Sequence, residues 1–159
     1  MLSSDVGIKI LNGMFGLLGN TQIVFDGEIY IGLFTTLPDK DGLNFTEPAD
    51  VGYLRIRLDT TSRIDKKSFI GPALAEENVT DGDPIAAYVT NQSLIMFPES
   101  SVVWGNIVGF GLFRSANTTS GSTPFLWGEV TSADGESGVA IDQYEVPIIR
   151  PGGFRVSLV

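Results

Sequence analysis

The apolar positions of this chain change period once, near residue 20. Before that point Ile8, Leu11, Phe15 and Leu18 recur at helical spacing and form one stripe, which predicts an α-helix over residues 5–18. Ser4 or Asp5 is placed to cap its first turn, and Gly19–Asn20 to stop it. Gly7, Gly13 and Gly16 each cost about 1 kcal/mol relative to alanine, so this helix needs tertiary or partner contacts to be stable. Residues 1–20 are therefore expected to form an N-terminal helix. Its stripe of Ile8, Leu11, Phe15 and Leu18 either docks on a partner subunit or packs on the chain's own sheet.

From residue 21 onward the pattern is that of strands and turns. Strands are expected over 22–26 and 28–35 around the Asp26–Gly27 turn pair, and over Tyr53–Leu58. In the latter, Tyr53, Arg55 and Arg57 alternate with Leu54, Ile56 and Leu58. A short strand near Ser68–Ile70 would break the otherwise long 59–84 stretch. Ile85–Val89 and Ser93–Phe97 read as a pair around Thr90–Asn91–Gln92, and Val102–Trp104 and Ile107–Phe113 as strands parted by Gly105–Asn106. Phe125–Val130, Val139–Ile141, Val146–Ile149 and Phe154–Leu158 complete the set, with a turn at Asp134–Gly138. Tyr30–Phe34 and Gly109–Phe113 echo each other. They read as two central strands of similar burial, with Gly32 and Gly111 where packing is tight. Short strands with frequent turns predict a mainly β chain. The expected organisation is a β-sandwich of jelly-roll type over 21–159, preceded by the single N-terminal helix.

Composition narrows the chemistry. Among 159 residues there are 19 glycines, no cysteine and no histidine. Disulfides, thiolate catalysis, histidine acid–base work and ordinary zinc sites are excluded. Ten basic against 19 acidic residues leave a net charge of −9, which opposes binding to nucleic acid or anionic lipid. No basic leader segment opens the chain and no run of about 18 apolar residues occurs, so synthesis in the cytoplasm and no membrane span are expected.

The candidate sites are sparse. Asp39–Lys40–Asp41–Gly42 opens like a calcium loop, with Glu47 as a further oxygen, but the flanking sequence fits an ordinary acidic turn better. Glu99, Glu129 and Glu145 offer carboxylates without a nucleophile–base signature, so no catalytic residue, cofactor or metal is expected. Arg55, Arg57, Arg63, Lys66 and Lys67 read as a solvated basic face. Asn44, Asn78, Asn91 and Asn117 open glycosylation-like triplets, which mark surface loops. Trp104 and Trp127 read as core, with a sugar-stacking platform of Trp and Tyr side chains as the alternative.

The order of segments carries more information than any single motif. Tyr30–Ile31–Gly32–Leu33–Phe34–Thr35–Thr36–Leu37–Pro38 is followed by 41–48 and by Gly52–Tyr53–Leu54–Arg55. Then come Ile95–Met96–Phe97–Pro98–Glu99, the 103–113 run, and Phe125–Leu126–Trp127–Gly128–Glu129. Together they resemble a family of short bacteriophage virion proteins of tail-fibre or fibre-like type. The resemblance implies a non-enzymatic structural protein of the virion, tail-associated or decorating capsid or neck, made in the bacterial cytoplasm. Its expected partners are copies of itself, as a homo-oligomer such as a trimer, and other phage structural proteins. A host-surface glycan is the alternative ligand.

Overall fold

Glycines on two neighbouring strands decide how the main sheet is covered. The computed structural model describes residues 28–58, 69–74, 87–118, 122–132 and 134–158. The expected N-terminal helix, with Ile8, Leu11, Phe15 and Leu18, lies outside them, as do the 22–26 strand and Arg63, Lys66 and Lys67. The described residues are mainly β, and their strands are β1 (Ile29–Phe34), β2 (Ile56–Leu58), β3 (Phe69–Leu74), β4 (Ala87–Asn91), β5 (Ile95–Met96), β6 (Gly105–Ile107), β7 (Gly109–Phe113), β8 (Leu126–Glu129), β9 (Val139–Ile141), β10 (Ile148–Ile149) and β11 (Arg155–Leu158). These residues fall into two compact units, one built from Glu28–Leu58 and Met96–Ile148, the other from the described parts of 59–95 and 149–158.

In the first unit a four-stranded antiparallel sheet has the order β2-β1-β7-β8. The two echoed segments are its central strands, and they pair with Gly32 directly opposite Gly111 and Phe34 opposite Gly109. Opposed residues share a face. One face therefore carries Ile29, Ile31, Leu33, Leu112 and Leu58, all buried. The other carries Gly32, Gly109 and Gly111 beside Phe34 and Phe113. On that side the missing side chains leave room for other groups. A Cβ at Gly111 would sit 2.4 Å from Phe34 Cζ, and one at Gly32 would sit 2.6 Å from Glu47 Oε1. Phe45 fills part of this space, with its ring centroid 5.1 Å from Phe34 and 5.8 Å from Phe113. The segment holding Phe45 and Glu47, within a polar loop expected over 36–52, is thus seated on the glycine face. Its entry is fixed by Thr35 N–H donating to Thr46 O at 2.9 Å.

Two expected breaks fall elsewhere. Gly105–Asn106 is not a turn: it lies inside β6, which pairs with β9, and Trp104 N–H extends that ladder to Ile141 O at 3.0 Å. The interruption comes at Val108, whose N–H donates to Phe34 O and whose carbonyl accepts from Val130 N–H. Tyr53–Arg55 is not strand, because regular pairing with β1 stops at Ile56.

In the second unit the sheet order is β11-β4-β3, antiparallel, with a register shift between Ile70 and Ala73. Here β4 pairs with β3 and β11 rather than turning back onto β5. The reason is Asn91, expected on a surface loop but fully buried. Its amide donates to Ser93 O and Arg150 O, each at 2.9 Å, and its Oδ1 accepts Phe154 N–H at 2.9 Å. This side chain converts the expected turn into a corner locked against the last strand's entry.

Candidate interaction surface

Three loops of the first unit are tied together by polar groups, and the same loops present apolar side chains to solvent. The innermost tie is a buried ion pair. Arg55 and Glu47 keep only 1% and 8% of their side-chain surface exposed. Arg55 donates from Nη2 to Glu47 Oε2 at 2.7 Å and from Nε to Oε1 at 2.9 Å. Its Nη1 reaches Ser115 O at 3.0 Å and Ser122 Oγ at 2.6 Å. The guanidinium carbon lies 3.4 Å from the Phe113 ring centroid. Tyr53 completes the node: its hydroxyl donates to Glu47 Oε1 at 2.9 Å and accepts Leu33 N–H at 2.7 Å, taking up a β1 amide beyond the end of β2. Burial, then the Glu47 charge, pushes the Tyr53 phenol far above its ordinary range, so it stays a neutral donor.

Glu47 and Arg55 stand eight positions apart with no periodic signal, so the sequence alone suggests a solvated face for Arg55. The expected alternation fails here, for Arg55 is buried and Leu54 is exposed. Arg57 does face solvent, paired with Glu28 at 3.0 Å, and Glu28 also accepts the Tyr30 hydroxyl.

The second tie is Asp50. Its carboxylate accepts Gly52 N–H (2.9 Å), Ser101 N–H (2.7 Å), Ser101 Oγ–H (2.6 Å) and Trp104 Nε1–H (2.8 Å). These donors, the Ser101 hydroxyl foremost and then the Trp104 indole, hold the Asp50 carboxyl well below the usual carboxylate range. Trp104 is core as expected, edge-on to Tyr53 with centroids 5.4 Å apart.

Ser100, fully buried, is the third tie. Its hydroxyl donates to Asp142 O at 2.6 Å and accepts Glu145 N–H at 3.0 Å, while Ser100 O accepts Tyr144 N–H at 2.8 Å. Loops 50–54, 100–103 and 142–146 are thus bound into one platform. From it project Val51, Leu54, Val102, Val103, Tyr144 and Val146, all exposed, with Val51 fully so and Tyr144 at 70%. Tyr144 holds a left-handed backbone (φ 66°), unusual for an aromatic residue. Sequence alone reads Val102, Val103 and Val146 as strand residues and Val51 as part of a polar loop, so nothing in it marks these loops as one platform.

The other candidates resolve plainly. Asp39 closes its own turn: Oδ1 accepts Asp41 and Leu43 N–H at 2.9 Å each and Oδ2 accepts Asn44 Nδ2–H at 2.7 Å. This is the acidic turn, with Glu47 committed to Arg55. Among the described residues no group of three acidic side chains is placed to hold a metal. Glu145 Oε2 accepts Asp142 N–H at 2.8 Å; Glu99 and Glu129 are exposed. Trp127, expected in the core, is 37% exposed on β8. A Cβ at Gly42 of the Asp39 turn would lie 3.5 Å from its ring. Among the described residues no helix is long and apolar enough to cross a membrane.

No curated protein matches the chain. Residues 3–146 match the family model described as Podophage GP4 fiber I protein gp80, which spans the whole first unit except its last two residues. The chain belongs to that family of phage fibre proteins.

Proposed function

We propose that this chain is a non-enzymatic structural protein of the virion, fibre-like in role, that works through protein contacts alone. Membership of a phage fibre family is the observation that carries this reading. The tied platform with its outward apolar residues supports it, because apolar groups on a fixed backbone suit contacts between proteins. In this reading the body is a β-sandwich and the chain assembles with itself, as a trimer. The N-terminal stripe of Ile8, Leu11, Phe15 and Leu18 docks on a neighbouring subunit, and further contacts join other virion proteins, in the tail or on capsid or neck. The chain is made in the host cytoplasm and carried in the particle. Mass spectrometry of gradient-purified virions, with light scattering of the isolated chain, tests this. Stoichiometric recovery from particles and an oligomer in solution are expected; a monomer missing from every particle would overturn it.

Exposed Trp127 beside the polar Asp39–Asn44 turn favours one second reading, an adsorption module that stacks a host-surface sugar on the indole. Host polysaccharide should then shift tryptophan fluorescence, and Trp127→Ala should abolish the shift. A signal that polysaccharide leaves unmoved would remove this reading.

A further inference from the structure

The platform of loops 50–54, 100–103 and 142–146 has a charge pattern as one-sided as its hydrophobicity. The loops that build it, 50–54, 100–103 and 142–146, contain no lysine or arginine. Asp142 and Glu145 lie within them and Glu99 directly precedes one, and all three are exposed. We propose that this face docks a basic, apolar-bearing segment of a different virion protein; the inference rests on the structural role proposed above and names the partner's chemistry.

Three observations select that occupant. A second copy meeting this face with its own would bring one acidic cluster of Glu99, Asp142 and Glu145 against another, and like charges across a contact disfavour that two-fold pairing; the head-to-tail contacts of a trimer join unlike surfaces, and the crosslink below tells them from a different protein. Nucleic acid and anionic lipid are opposed by the same carboxylates. Five of the six exposed platform residues, Val51, Leu54, Val102, Val103 and Val146, offer a sugar no donor or acceptor, Tyr144 being the exception, whereas all can be covered by apolar side chains of a protein. The platform is also pre-organised. Asp50 receives four hydrogen bonds, Ser100 is buried at the junction, and Gln143 Nε2–H donates to Ser101 O at 2.8 Å. Docking there orders little backbone, which spares the entropy that flexible loops would lose.

The test is photo-crosslinking inside assembled particles. p-Benzoylphenylalanine replaces Val103 in one phage stock and Ala116, exposed on a loop outside this face, in another. Expected is a crosslink from position 103, stronger than from 116, to a different virion protein within a segment of net positive charge. A crosslink only to this chain, to an acidic segment, or to nothing overturns the inference while leaving the structural role intact. Absence of the unsubstituted chain from particles overturns both. Independently, Glu99→Lys with Asp142→Lys, side chains that serve no tie in the platform, should lower the copies per particle about tenfold with the chain's melting curve unchanged. Undiminished incorporation of that variant overturns the charge assignment.

Discussion

Separating Arg55 from Glu47 should destabilise the first unit far more than breaking any exposed pair. The pair is buried and bidentate, so Arg55→Met leaves the Glu47 carboxylate with Tyr53 as its remaining side-chain partner and leaves Ser115 O and Ser122 Oγ without a donor. Glu47→Gln leaves a guanidinium against Phe113 without its counter-charge. An uncompensated buried charge costs about 3–5 kcal/mol. With a urea slope of about 2 kcal/mol per molar, either variant should lower the unfolding midpoint by roughly 2 M. The double variant Glu47→Gln/Arg55→Met has no orphaned charge and keeps an acceptor for Tyr53. It should lose less than the sum of the singles by about 2–3 kcal/mol. Both tryptophans lie in this unit and Trp104 packs on Tyr53, so tryptophan fluorescence reads the transition. The control is Arg57→Met, at an exposed pair expected to contribute about 0–1 kcal/mol. If Arg55→Met costs no more than Arg57→Met, or if the double variant is additive, the buried pair does not hold the 47–55 segment and the account of the platform fails with it.

Gly111→Ala should cost about 1–3 kcal/mol by urea unfolding, because its Cβ meets the Phe34 ring at 2.4 Å in a packed aromatic cluster; a neutral effect would mean the glycine face is not full. Asp50 has a depressed folded pKa, so its contribution is intact at neutral pH. It begins to fall once pH drops below the unfolded value of about 3.9 and is gone below the folded one. Asp50→Asn should therefore be less stable at pH 7 and lose less of its remaining stability between pH 4 and 2 than the parent, followed by fluorescence; parallel acid curves would remove Asp50 from the tie. Asn91→Ala leaves buried groups, Phe154 N–H among them, without their partner. It should cost about 2–3 kcal/mol and speed exchange of the Phe154 amide, measured by hydrogen–deuterium exchange. Unchanged exchange there would show that the corner holds without the amide.

Most strands were legible from runs of apolar residues between turns. β1, β2, β5, β7, β8, β9, β10 and β11 fall within expected segments, and the echo of Tyr30–Phe34 in Gly109–Phe113 marked the sheet's two central strands. Gly32 and Gly111 were readable as close approaches because a strand glycine has few other reasons to exist, but what approaches them is set by contacts across many residues. Those contacts were invisible. Asn91 reads as a turn residue because asparagine favours turns; its burial depends on Arg150 and Phe154, about sixty positions away. Arg55 and Leu54 exchange their expected places because one carboxylate, Glu47, and one serine carbonyl, Ser115 O, can satisfy a guanidinium in the interior. Alternation assumes that polar groups seek water, and it fails where a complete set of protein partners replaces water. Trp127 was misread for the opposite reason. It sits on β8 at the sheet's edge, where a strand has one neighbour instead of two.

The inversion at 47–55 connects the interior to the surface. With Glu47 and Arg55 inward and Asp50 tied to Ser101 and Trp104, Val51 and Leu54 between them point out, since a short loop cannot bury both sets. A chain selected only to fold alone would gain by the reverse assignment, with about 1.5–3 kcal/mol available for burying a leucine side chain. Keeping the apolar residues outside, on backbone fixed by Asp50 and Ser100, is favourable when another protein covers them. The docking proposed above would meet that condition, with the hydrogen bonds of Asp50 and Ser100 holding the face in shape beforehand.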